Sequence, residues 1–204
     1  MTRTTAVATD RSGLPALGEA SLDASPDEEL LERFFSRSNR AAEDAFRILV
    51  ARHGPMVLGV CQQILNQHQD AEDALQATFL VLARKGRTIR SRKVLGRWLY
   101  EVAYRIALRA RAQAMRRRVP ERRASEMSPP VHENEIAWNE LRPVLHDEVN
   151  RLPEKYRTPV VLCYLEGKTN KEAAQLLMWP VGTVKGRLSR ARNLLRSRLL
   201  AAGW

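Results

Sequence analysis

An all-α fold of two small domains joined by a flexible linker is what the sequence predicts, on three observations. Apolar residues recur at helical spacing through most of the chain. No stretch shows the two-residue alternation of a half-buried strand. Residues 119–133, VPERRASEMSPPVHE, hold three prolines and no apolar period, so they read as a linker between two helical halves. With 204 residues there is room for one domain of ordinary size or two small ones; the linker favours two, placed at 26–118 and 134–204 behind a disordered, Thr- and Ser-rich tail over 1–25.

In the first half, Ser25-Pro26-Asp27-Glu28 supplies a helix start, with Ser as cap and Pro at the first position. A short helix to about Ser36 turns Leu30, Leu31 and Phe34 inward. A second, from about Ala41 to His53, carries Ala45, Phe46, Leu49 and Val50. Gly54-Pro55 ends it, and a third covers about 55–66. DAEDALQATFLVLARK, residues 70–85, is the strongest amphipathic helix here. Ala74, Leu75, Thr78, Phe79 and Leu82 make its stripe, and Asp70, Glu72 and Asp73 crowd its first turn, where acids suit the helix dipole.

Gly86 opens a basic loop, and a long helix follows from about Val94 to Arg117, lined by Leu95, Trp98, Leu99, Val102, Ala103, Ile106 and Ala110. Between Arg84 and Arg123 the only acids are Glu101 and Glu121. One-sided charge interleaved with Trp98, Tyr100 and Tyr104 suits single-stranded or melted nucleic acid, whose bases stack and whose phosphates need neutralising. The same rings also fit a core, Trp98 most of all by its position.

In the second half, a helix from about Asn134 to Arg151 has room for a fresh turn at Pro143. Another, from Pro153 to Glu166, buries Val160, Val161, Cys163, Tyr164 and Leu165, with Pro159 kinking or tightening it. Thr169 and Glu172 form a capping box for a short helix over about 170–177. Pro180 then breaks the chain and starts a helix from about Val181 to Leu200. Val184, Leu188, Ala191, Leu195 and Leu199 are its apolar face. Gly182, Gly186, Ser189 and Asn193 centre the opposite one, and six Lys and Arg residues accompany no acid over 185–198. Gly186 costs about 1 kcal/mol relative to Ala inside a helix, and core packing does not explain it on an outward face. Close approach to another surface does. This is the pattern of a helix-turn-helix that reads the DNA major groove.

A formal net charge of +11 points to a polyanionic partner. No apolar run approaches the roughly 20 residues of a membrane span, and the first residues lack a signal-peptide core, so a cytoplasmic protein without membrane insertion is expected. Cys61 and Cys163 sit in apolar helical patterns and read as reduced packing residues. Gly167-Lys168-Thr169 imitates the end of a phosphate-binding loop, but Leu162 stands where the loop needs Gly. The four histidines show no metal spacing, and no nucleophile motif occurs. No catalytic residue, metal or cofactor is therefore expected, and the protein does not read as an enzyme.

Taken together, two ordered segments resemble the sigma-70 family of RNA polymerase sigma factors, in its small extracytoplasmic-function (ECF) form. DAEDALQATFLVLARK resembles the core-polymerase-binding helix of region 2, and GRWLYEVAYRIALRARAQAMRRR the promoter-melting helix. LPEKYRTPVVLCYLEGKTNKEAAQLLMWPVGTVKGRLSRARNLL resembles region 4, which reads the −35 element. The resemblance implies a promoter-specificity subunit whose partners are core RNA polymerase (its β′ clamp and β subunits), promoter DNA and, by family expectation, an anti-sigma factor. It implies that Asp70, Glu72, Asp73, Gln76, Phe79 and Leu80 meet the clamp. Arg87, Arg90, Ser91, Arg92, Lys93, Arg97, Trp98 and Arg105 would hold the −10 strand. Thr183, Lys185, Arg187, Ser189, Arg190 and Arg192 would meet the −35 duplex, with Lys185, Ser189 and Arg190 at base edges or nearby phosphates and Arg187 and Arg192 on the backbone.

Three positions depart from the family pattern. Met178 stands where such turns carry Gly in a left-handed conformation. Arg105 and Arg109 replace the Asn and Asp of many relatives. The residues also admit a stand-alone helix-turn-helix regulator, which leaves the acidic helix and the basic block without a role. A serine recombinase would need a strand-rich catalytic domain that residues 27–118 do not offer.

Overall fold

The computed structural model describes residues 24–36, 40–65, 67–89, 92–121 and 133–204. Residues 1–23 of the expected tail and 122–132 of the expected linker lie outside the described residues. Helices make up the first segment: α1 (Asp27–Ser36), α2 (Arg40–Ile64), α3 (His68–Lys85) and α4 (Leu95–Glu121), with 3₁₀ turns at Gly86–Thr88 and Arg92–Val94 between the last two. The second contains α5 (Glu133–Arg151), α6 (Glu154–Val160), a π-helical turn Val161–Leu165, α7 (Asn170–Leu177) and α8 (Val181–Ala201). Among the described residues no strand forms.

Several boundaries differ from expectation for identifiable reasons. The Pro26 carbonyl accepts the Glu29 and Leu30 N–H groups, so Pro26 stands one place before the helix, and Ser25 is packed rather than loose. α2 passes straight through Gly54-Pro55. Ala45, Leu49, His53, Met56, Val60 and Ile64 are all buried along one stripe that keeps its phase across the proline. That burial outweighs the one backbone hydrogen bond Pro55 cannot donate. α5 is likewise continuous through Pro143. Pro159 loosens its helix rather than tightening it: the following turn widens, with Glu166 N–H reaching the Val161 carbonyl five residues back. The widened turn leaves Tyr164 exposed, against the expectation that it is buried, while Leu162 takes a core position. α4 runs on to Glu121, past the expected end at Arg117.

The two segments close on each other in one continuous buried core that joins Leu49, Val57, Leu95 and Leu99 to Val149, Leu152, Val161 and Leu162. α5 lies against α2 and α4. His146 Nδ1 is 3.2 Å from the Tyr100 hydroxyl and its Nε2 is 2.6 Å from Gln63 Oε1. Tyr104 donates to the Asp147 carboxylate. The rings of Tyr100 and Tyr104, candidates for base stacking, are thus buried under α5. Trp98 is only half-buried, the reverse of the order expected.

Candidate polymerase and nucleic-acid interfaces

On α3, Asp73, Gln76 and Leu80 follow one another at helical spacing and are all exposed, while Asp70 is half-buried. Glu72 lies beside them, its carboxylate 3.1 Å from His68 Nε2. Phe79 departs from this set. It is turned inward, only 5% exposed, and meets the Phe46 ring edge to face at 6.2 Å. It belongs to the stripe with Ala74, Thr78 and Leu82, so it supports the face without forming it. What remains is three carboxylates, of which Asp73 is the most exposed, an amide and a leucine that is 58% exposed. Such a combination suits a basic helical partner with an apolar spot.

The basic surface begins at the turn Gly86–Thr88. A Cβ on Gly86 would come within 2.7 Å of the Phe35 ring, so any other residue here has to displace that ring. Arg87 lies over the same ring at 5.4 Å and donates to the Phe35 carbonyl at 2.7 Å. Arg90 and Ser91 lie outside the described residues. Arg92 pairs with Glu32 at 3.4 Å, Lys93 is exposed, and Arg105, also exposed, donates from Nε to the Glu101 carbonyl.

Arg97 is differently placed. Its guanidinium is drawn into the contact between segments, against Glu154 and Glu101, and Arg157 meets Glu101 at 2.9 Å. Arg97 Nη1 and Glu101 Oε1 are buried without an aligned hydrogen bond, so these are charge contacts in a partly buried network. In this arrangement Arg97 is held by acids.

Beside it a cleft of about 630 Å³ runs between the segments, lined in part by Asp27, Arg52, His53, Gly96, Glu166 and Lys168. The Glu166 carboxylate rests where a Cβ on Gly96 would stand. Burial, with Asp27 adding to it, pushes that carboxyl above its ordinary range. Asp27 goes the other way: burial would raise it, but hydrogen bonds and charge from His53 and Arg52 hold it low.

The helix-turn-helix is built as its residues dictate. Thr169 Oγ1 accepts the Glu172 N–H at 3.2 Å while Glu172 accepts the Thr169 N–H at 2.7 Å, completing the capping box. α7 then closes in a Schellman turn: Trp179 N–H reaches the Ala174 carbonyl and Met178 N–H that of Gln175. Met178 takes φ 53° and ψ 42°, the left-handed conformation that favours glycine, and is 76% exposed. The turn therefore has the geometry usual for the motif, with a strained residue in it. Met178→Gly is expected to remove about 1–2 kcal/mol of strain and return about 0.4–1 kcal/mol through the freer unfolded chain. The net gain of about 0.5–1 kcal/mol should raise Tm by roughly 1–4 °C in a melting curve. An unchanged or lower Tm would show that no such strain is stored.

On α8, Val184, Leu188 and Ala191 are buried, while Gly182, Lys185, Gly186, Ser189, Arg190 and Arg192 are exposed and Thr183 and Arg187 half-buried. A Cβ at Gly182 or Gly186 would meet nothing within 4 Å, so their outward face is open. The Arg187 guanidinium lies over the Trp179 ring, its Cζ 3.8 Å from the centroid. The Arg190 guanidinium, by hydrogen bond and charge, lowers the Tyr156 phenol from its ordinary range. Neither aromatic partner stood out in the sequence, since no helical period links position 179 or 156 to α8.

A helical bundle with a basic edge, followed by a helix-turn-helix whose second helix carries no acid, defines a two-part DNA-binding protein. Comparison with known proteins makes the class specific. The sigma-70 region 2 family matches residues 49–117, and the sigma-70 region 4 family matches residues 143–195. Over 185 residues the chain is 28% identical to the ECF RNA polymerase sigma-E factor of Haemophilus influenzae, across 85% of this chain and 95% of that protein. It is 27% identical to the RNA polymerase sigma-H factor of Pseudomonas aeruginosa, across 85% and 93%. The solved structure of CnrH in complex with the cytosolic domain of CnrY aligns with 86% of this chain and 97% of that chain, at 21% identity and a TM-score of 0.43. The chain belongs to the sigma-70 family and is an ECF-type sigma factor, which directs promoter-specific transcription initiation. Among the described residues no helix is long and apolar enough to cross a membrane, and no three His, Cys, Asp or Glu side chains group as metal ligands.

Proposed function

We propose that the factor binds core RNA polymerase through the α3 face of Asp70, Glu72, Asp73, Gln76 and Leu80. It then holds the −10 strand with Arg87, Arg90, Ser91, Arg92, Lys93, Arg97, Trp98 and Arg105, and the −35 duplex with α8. Residues 26–118 and 134–204 are the two working units, acting in the cytoplasm, with an anti-sigma factor as the expected antagonist. Its contribution is recognition, by phosphate and base contacts, while the polymerase does the chemistry. The observation that carries this reading is one chain offering both an acid-and-leucine face on α3 and an open, acid-free reading face on α8. Arg97 reaches DNA only after leaving Glu154, so promoter binding includes the separation of α6 from α4.

Core polymerase lacking sigma, mixed with the full chain, tests this. Wild type is expected to co-elute with it at moderate salt. Asp73→Arg, a change on an exposed position, should lose about tenfold or more in affinity, as reversing a charge in a paired interface does. Absence of co-elution by wild type at both low and moderate salt would favour the stand-alone regulator.

A further inference from the structure

We propose that Trp179 is a positioning residue for duplex binding: it holds Arg187 flat so that the guanidinium edge meets a backbone phosphate beside the −35 element. This rests on the reading of α8 given above. Of the three cation–ring contacts in the described residues, Arg87 on Phe35 and Lys155 on Tyr156 lie at 5.4 and 5.1 Å, while Arg187 on Trp179 lies at 3.8 Å. At that distance the guanidinium carbon is in van der Waals contact with the face of the ring. Stacking occupies the π face of a guanidinium and leaves its N–H donors pointing outward in the plane. No acid lies anywhere in α8, and among the described residues no carboxylate pairs with Arg187. Its donor edge is unspent.

The ring is itself held in place. The Schellman turn fixes the Trp179 N–H on Ala174, and Pro180 confines the backbone that follows. The Trp179 side chain packs partly against the core and borders a crevice with Leu176 and Leu177. Met178 takes its strained left-handed conformation immediately before the tryptophan. The turn thus delivers a rigid aromatic plate to the first turns of α8, under an arginine one and a half turns into it. An arginine free in solution loses rotamer freedom when a phosphate captures it; one already stacked has lost most of it, which corresponds to about two- to tenfold in affinity. Direct ring–cation attraction adds nothing unless it survives in the complex, so preorganisation is the larger effect.

The test uses the full chain with core polymerase and a duplex that the wild-type holoenzyme selects from a randomised pool. Failure of wild type to select any duplex would count against the reading of α8, not against Trp179. With a selected duplex, binding is measured for Trp179→Phe, Trp179→Leu, Arg187→Ala, Arg187→Lys and the Trp179→Leu/Arg187→Ala double variant at several salt concentrations. Trp179→Phe keeps a ring and is expected to bind within about twofold of wild type. Trp179→Leu should weaken binding about three- to tenfold. Arg187→Ala should weaken it at least as much and lower the salt slope by about 0.9, one phosphate contact.

The double variant should then bind no more weakly than Arg187→Ala alone, because the ring acts only through the arginine. Arg187→Lys keeps the charge but has no plane to stack, so it should fall to the level of Trp179→Leu. Additive losses in the double variant would overturn the proposal and make Trp179 a support of the turn alone. If Trp179→Leu does not fold, Arg187→Lys decides: wild-type binding by it overturns the proposal, and a three- to tenfold loss supports it.

Discussion

Phe79→Ala is expected to destabilise the protein by about 3–5 kcal/mol, the range for removing a buried phenylalanine ring, whereas Leu80→Ala next to it should stay within about 0.5 kcal/mol. The two positions differ by one residue and by a face of the helix: 5% exposed against 58%. Phe79 also begins an aromatic series that crosses the first domain. It meets Phe46 edge to face, Phe46 stacks on Phe34 at 4.7 Å, and Phe34 touches Phe35 at 4.8 Å. Phe35 in turn fills the space left by Gly86 and lies under Arg87. The acidic helix α3 and the basic turn therefore rest on one set of rings. Urea unfolding of both variants, beside polymerase binding by Leu80→Ala, separates the roles. The leucine variant should fold like wild type and bind polymerase less well. A Phe79→Ala protein as stable as wild type would show that the ring is not core.

This pair shows where the sequence is a good guide. Thr169 and Glu172, the α8 stripe and the bare glycines opposite it were legible because each is a local pattern with a single period. The helical class was legible for the same reason. Pro55 was misleading because a local breaker competes with a stripe 20 residues long, and burial of the stripe wins. For Phe79 the family resemblance implies a surface position, while its helical period places it inside. Tyr100 and Tyr104 were ambiguous for a different reason: what covers them lies more than 40 residues away, beyond a linker. The stacking of Arg187 on Trp179, across a change of helix, leaves no periodic trace at all.

Acid should weaken the contact between the two domains, and His146 should account for most of the loss between pH 7 and pH 5. The imidazole is buried between α2 and α4, and that burial lowers its pKa to about 4. The Tyr100 hydroxyl and Tyr104 ring face it from α4, Gln63 from α2, and Asp147 and Asn150 belong to its own helix, Asp147 being engaged by Tyr104. None of these supplies it with a free carboxylate. A histidine whose pKa falls on folding contributes stability that is whole above its ordinary value, about 6.5, and is lost as pH drops towards the folded value. Between pH 7 and pH 5 the loss is about 2 kcal/mol. Asp27, held low, contributes its own loss only in the carboxylate range, and Glu166, held high, acts in the opposite sense. His146→Gln keeps a donor and an acceptor between Gln63 and Tyr100 but does not titrate. Urea midpoints at pH 7 and pH 5 should therefore converge in the variant and stay apart in wild type. An equal fall in both would assign the acid sensitivity elsewhere. Because His146 lies in the contact of α5 with α2 and α4, the same proton uptake should make domain separation easier at pH 5 than at pH 7, visible as a larger radius of gyration in wild type and not in the variant.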